Sequence, residues 1–154
     1  MLTSSIILPV LLGLTSALPT TLNARAGGPA ITPIPSTCSI TSPFPVDAAA
    51  DQTFQLKEET RKSILYEAYY GDIDYDREAK SLECFQQCYG YGYHTECQGA
   101  YWAEKLIVPK GYYNTEGGVL STGCLMFTRP LTAEDFVVAE PGRNIKAAAA
   151  NIAC

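Results

Sequence analysis

Two cysteines four residues apart, in Ser81-Leu82-Glu83-Cys84-Phe85-Gln86-Gln87-Cys88-Tyr89-Gly90, constrain this chain more than any other feature. The stretch reads as a short helix. Ser81 suits an N-cap, Glu83 sits in the first turn against the positive end of the dipole, and Gly90 is a natural stop. Residues i and i+4 share a helix face with Cβ atoms about 5–6 Å apart, whereas a disulfide wants about 3.5–4.5 Å. Cys84 and Cys88 should therefore not bond each other. A helix this short is marginal alone in water, so both thiols are expected to reach neighbouring strands and clamp it down. The six cysteines allow 15 pairings in all. Cys97 and Cys124 are the partners at hand, with the assignment between them open at this point, and Cys38 and Cys154 remain to join the two ends.

Disulfides of this kind belong to an oxidising compartment. Residues 1–17 read as a secretory signal: an apolar centre from Ile6 to Leu14, then the small residues Thr15-Ser16-Ala17, although no Lys or Arg precedes them. The stretch is shorter than the roughly 20 apolar residues a membrane span needs. Residues 18–25 form a candidate propeptide, since Leu22-x-x-Arg25 resembles a processing site of secreted fungal proteins. No Asn-x-Ser/Thr sequon occurs. A secreted, extracellular product is expected.

The formal net charge is -5, from 11 basic and 16 acidic residues. Such a chain lacks the basic footprint that drives binding to nucleic acid or to anionic membranes, so neither is an expected partner. The single histidine, His94, excludes any mechanism needing two imidazoles and any multi-histidine metal site. Apolar residues make up 47% and charged ones 18%, enough for a small core and too little charge for disorder.

Residues 26–50 form a Pro-rich extended segment around Cys38, with Pro29, Pro33, Pro35, Pro43 and Pro45 blocking a helix. Residues 52–66 are ambiguous: Phe54, Glu58, Arg61 and Leu65 fit a helix, Ile64-Leu65-Tyr66 a strand. Gly71 to Asp76 is a turn or loop. Three strands are predicted after the helix: Cys97 to Ala103, Leu106 to Val108, and Val119 to Phe127. Pro109-Lys110-Gly111 and Glu116-Gly117-Gly118 are turn signals, Thr132-Ala133-Glu134-Asp135 reads as a capped turn of helix, and Phe136-Val137-Val138 as a last edge strand. The expected fold class is α+β, a small curled antiparallel sheet with one short helix packed across it and three disulfides as staples.

The helix Glu83-Cys84-Phe85-Gln86-Gln87-Cys88, the strand Cys97-Gln98-Gly99-Ala100-Tyr101 and the strand Gly123-Cys124-Leu125-Met126-Phe127 together resemble the PAN/apple module over residues 38–154. The resemblance implies the pairs Cys38–Cys154, Cys84–Cys124 and Cys88–Cys97, and a non-enzymatic module that binds protein or carbohydrate. Three features depart from animal members: the long stretch from Cys38 to Cys84, the Tyr-rich segment 89–93 and the loop 109–118. In these respects the chain is similar to small secreted cysteine-rich proteins of filamentous fungi, which implies an effector that meets a host or cell-wall component. Loop closure alone gives these bonds about 3, 4 and 5 kcal/mol for loops of about 10, 40 and 120 residues, not fully additive because the loops nest. All six cysteines are read as structural.

The candidate binding residues are aromatic. All ten tyrosines lie between Tyr66 and Tyr113. Tyr89, Tyr91 and Tyr93 alternate with glycines ahead of His94, and Tyr112-Tyr113 stand in a second glycine-flanked loop. Tyrosine offers a broad apolar face and a polar tip at low entropic cost. Tyr101 or Trp102, adjacent in a strand, must include at least one core ring. Asp72, Asp74, Asp76 and Glu83 match calcium-loop offsets 1, 3, 5 and 12, but Arg77 stands where such a loop turns on glycine, so an acidic surface loop is the simpler reading. No cofactor and no catalytic residue is expected. The alternatives are a secreted inhibitor of a hydrolase such as a protease, using loop 109–118, and a small extracellular hydrolase using acidic residues.

Overall fold

The computed structural model describes residues 28–47, 52–71 and 76–154. The signal segment 1–17, the candidate propeptide 18–25, and Asp72 and Asp74 lie outside the described residues. The strands are β1 (Ser39–Thr41), β2 (Phe54–Leu56), β3 (Ile64–Tyr70), β4 (Gly99–Ile107), β5 (Leu120–Phe127), β6 (Phe136–Val138) and β7 (Ile145–Ala153), with one α-helix, α1 (Arg77–Tyr89). An antiparallel five-stranded sheet runs β1-β7-β4-β5-β3, and β2 pairs with β6 in a small second sheet. The fold is α+β, with the helix packed across β4, β7 and β5.

The large sheet is covered on both sides, which explains why its strands lack polar–apolar alternation. Toward α1 it turns Ala100 and Trp102 of β4, Cys124 and Met126 of β5 and Ile152 of β7, packed on Cys84 and Cys88. Toward the other side it turns Tyr101, Ala103, Leu125 and Phe127, packed on Phe54 of β2, Phe136 of β6 and Leu131. Tyr101 and Trp102 are thus both core, one in each layer. The buried Tyr101 hydroxyl donates to the Phe54 carbonyl at 2.7 Å and accepts from Asn144 Nδ2 at 2.8 Å.

Three disulfides close within the chain: Cys84–Cys124 and Cys88–Cys97, with Cα separations of 5.7 and 5.3 Å, and Cys38–Cys154. The first two bind α1 to the sheet and to the segment leading into β4. The third ties β1 to β7, which also pair as strands.

Several expectations need correction. The helix begins at Arg77, not after Ser81. Asp76 is its cap, its side chain accepting from Glu78 N at 2.9 Å and Ala79 N at 3.4 Å, while Ser81 is buried inside the helix. The first two predicted strands are one. Beta-strand β4 continues through a register shift between Ala103 and Leu106, where Lys105 has a φ of 56°. Phe136–Val138 is not the last strand, because Ile145–Ala153 follows and lies between β1 and β4. The ambiguous stretch resolves into β2, a 3-10 turn at Thr60–Ser63 and β3.

Gly90 caps α1 with an ordinary φ of -74°, so its small size rather than left-handed backbone is what the site requires. Residues 30–32 lie directly against it, and Thr32 N donates to Gln86 O at 3.3 Å. A Cβ on Gly90 would collide with the Ala30 carbonyl and stand 2.8 Å from Thr32 Oγ1. Gly90→Ala should therefore lower stability by about 1–3 kcal/mol, read by urea unfolding, because backbone on both sides must move. A neutral outcome would mean that residues 30–32 do not pack there.

Candidate functional site

The Tyr-rich loop after α1 and the β4–β5 loop both meet strand β3. Beta-strand β3 is an edge of the large sheet. An unprotected edge is a template for unwanted strand pairing. Here Tyr112 covers part of it: Tyr69 N donates to the Tyr112 hydroxyl at 3.2 Å, and the two rings meet edge-on at 4.8 Å. The loop is further tied by Gly111 N to Thr115 O and Gly118 N to Val108 O, at 2.9 and 2.8 Å. Tyr113 then projects from it, 82% exposed, its ring edge-on to Tyr112 at 4.6 Å.

On the helix side of β3, Tyr66 packs against Tyr91 with ring centroids 6.2 Å apart. Burial pushes the Tyr66 phenol up, and the neighbouring phenols of Tyr113, Tyr112 and Tyr91 push it further the same way. Tyr66 thus packs on the first loop with its phenol near those of the second, a residue not singled out by the sequence. Tyr69 is the most perturbed phenol along this strand. Burial raises it to about 12 against the opposing hydrogen bond from Arg61, whose Nη2 lies 2.9 Å away.

The remaining predicted residues divide by role. Tyr89 and His94 form a stacked pair of their own, with centroids 4.4 Å and planes 15° apart, and His94 Nδ1 faces the Tyr89 carbonyl. That nitrogen therefore carries the imidazole proton. Tyr93 stands free of the core, 87% exposed. Gly92, at a φ of 59°, makes room for the Glu96 carboxylate, which a Cβ there would overlap. Of the calcium-loop residues within the described chain, Asp76 is occupied as the helix cap and Glu83 pairs with Lys80 Nζ at 2.8 Å. Among the described residues no group of three or more His, Cys, Asp or Glu side chains is placed to hold a metal ion.

The outcome is a disulfide-stapled α+β domain with a tyrosine-rich edge. Its three intramolecular disulfides fit an extracellular protein. Among the described residues no helix is long and apolar enough to cross a membrane. No family model, no curated protein and no solved structure matches the chain.

Proposed function

We propose that this chain is a secreted, non-enzymatic interaction module of the PAN/apple type, an effector that binds an extracellular protein or carbohydrate of a host or cell wall through its two tyrosine loops. The supporting observation is the exposure of Tyr93 and Tyr113, 87% and 82%, in loops whose backbone is held at positive φ beside or at them, 66° at His94 and 44° at Tyr113. Large aromatic rings left mostly in water contribute little to the core, and aromatic residues are enriched at binding interfaces.

A pull-down with insoluble wall polysaccharides and with extracellular fluid tests the reading. The double variant Tyr93→Ala/Tyr113→Ala should lose about tenfold or more of the captured binding, since two exposed anchors are removed. Its stability should stay within about 0.5 kcal/mol of the parent. Equal binding by parent and variant would sink the assignment.

The tight tethering of loop 109–118 favours a second reading, insertion into a hydrolase as an inhibitor, because a rigid loop binds without paying ordering entropy. Recovery of one protease in the same pull-down would select it.

A further inference from the structure

The three disulfides do not stand alike toward water. Cys84 and Cys97 are 2% exposed, Cys124 1% and Cys88 0%, whereas Cys154 is exposed and Cys38 half-buried. By sequence all six read as structural, and burial sets one pair apart. We infer that Cys38–Cys154 is a thiol-exchange site, which a soluble thiol opens to release the arm 28–41 from the flank of α1.

Three observations carry the inference. The first is access. Exchange begins when a thiolate attacks one sulfur of the bond, so its rate depends on reaching that sulfur, and exposed disulfides are the labile ones. Of the three bonds, Cys38–Cys154 alone has residues open to water. A thiolate attacks Cys154 Sγ, the sulfur–sulfur bond breaks, and Cys38 leaves as a thiolate and takes up a proton. A second thiol then displaces the first from Cys154. Both cysteines end as thiols, and the two sulfurs of the reductant end joined to each other.

The second is how little else holds the arm. Pro29, Pro33 and Pro35 carry no N–H to donate. Thr32 N donates to Gln86 O at 3.3 Å, a long bond at the helix end. Strand β1 pairs with β7 through Ser39, Ile40 and Thr41, and all of its side chains are exposed. A short edge strand with its side chains in water gains little from packing. The next firm anchor is Phe44, whose ring stacks on Phe54 at 5.2 Å and meets Phe136 edge-on at 5.0 Å. Cutting the bond therefore frees the chain up to Thr41 and leaves it moored at Phe44.

The third is what the arm covers. Gly28 lies against the Tyr66 hydroxyl, which an added Cβ would approach to 2.6 Å. Residues 30–32 lie on the last turn of α1, and Ile34 packs on the cluster of Cys84, Cys88, Trp102, Met126 and Ile152. Lifting the arm bares this apolar ground beside the first tyrosine loop. The rest of the fold stays closed, because α1 keeps its two buried disulfides and β7 stays paired with β4.

Reduced glutathione would be titrated into the folded full-length protein, the thiols trapped with N-ethylmaleimide and the labelled cysteines mapped by mass spectrometry. Cys38 and Cys154 should be labelled about tenfold or more faster than the other four. Amide exchange over 28–41 should quicken about tenfold at the same thiol concentration, with α1 and β4 unchanged. The double variant Cys38→Ser/Cys154→Ser should show the fast-exchanging arm from the start and no response to that concentration of glutathione. Should it fold poorly, the parent opened by glutathione and blocked with N-ethylmaleimide takes its place.

Labelling of all six cysteines at one rate, or of none short of unfolding, would overturn the inference. So would loss of the bond with exchange over 28–41 unaltered. The inference does not use the tyrosine-loop reading: Tyr93→Ala/Tyr113→Ala should open at the parent's rate whether or not it captures a ligand, so either can fail without the other.

Discussion

Removing the Cys84–Cys124 bond as the pair Cys84→Ala/Cys124→Ala should cost about 4 kcal/mol of unfolding free energy, read by urea titration without reductant. The bond spans 40 residues, and closing a loop of that length in the unfolded chain accounts for a cost of this order. Both sulfurs are buried, so two small voids under the helix add to it. Alpha-helix α1 has 13 residues, near the lower limit for a helix that survives without tertiary support. Against a typical total of about 5–15 kcal/mol, the variant should be partly unfolded at body temperature and lose protection from amide exchange first along α1. A loss below about 1 kcal/mol would mean that packing of Trp102 and Met126 holds the helix unaided.

The second large effect belongs to Asp135. Its carboxylate accepts from Arg129 Nη1 at 2.9 Å and from Nη2, from Thr132 N at 2.8 Å, and from the buried Thr60 hydroxyl at 2.9 Å. It therefore closes the capping box of the Ala133–Asp135 turn and ties that turn to the one before β3. Asp135→Ala should cost about 2–4 kcal/mol, chiefly from the lost cap and the stranded Thr60 hydroxyl. Arg129 is nearly half exposed, so water screens its share to about 1 kcal/mol or less.

The same cluster predicts a pH dependence. The Arg129 hydrogen bond holds the Asp135 carboxyl well below the usual carboxylate range, against the opposing effect of burial. A depressed carboxyl stabilises the fold fully above its unfolded pKa of about 4, and that stability is lost as pH falls toward the folded value. The stability gap between the parent and Asp135→Asn should be widest at pH 6 and shrink steadily toward pH 2. A gap that stays constant across that window would contradict the assignment.

What could be read in advance followed from residues with one dominant physical preference. The helix around Cys84 and Cys88, the Thr132–Asp135 cap and the turn at Pro109-Lys110-Gly111 carry local signals, and the α+β class follows from them. Beta-strand β7 did not announce itself. Its sequence, Ile-Lys-Ala-Ala-Ala-Ala-Asn-Ile-Ala, favours a helix by propensity. The register explains why it is a strand: Ala149 lies opposite Tyr101 and Ala148 opposite Trp102, so the bulk sits on β4 and the neighbour must be small. That complementarity exists only between strands and leaves no mark on either one alone. The early helix start was missed for a related reason. Arg77 to Lys80 has no apolar pattern, and what holds Arg77 is the backbone of β7, through the carbonyls of Lys146 and Ala147 at 3.0 and 2.8 Å. The site was legible in part. The two glycine-flanked tyrosine loops stand out in the sequence, while the place of Tyr66 beside them depends on the pairing of β3 with the distant β5.

The placement of the sulfur bonds bears on survival in a protease-rich fluid. The loop carrying Tyr89 to His94 is straddled by Cys88–Cys97, and the one carrying Tyr112 and Tyr113 by Cys84–Cys124, with Cys38–Cys154 enclosing both. These protruding segments are the natural places for an endopeptidase to cut. A single nick in either would sever the backbone and release no fragment, leaving the two flanks of the wound sutured in register until a reductant arrived.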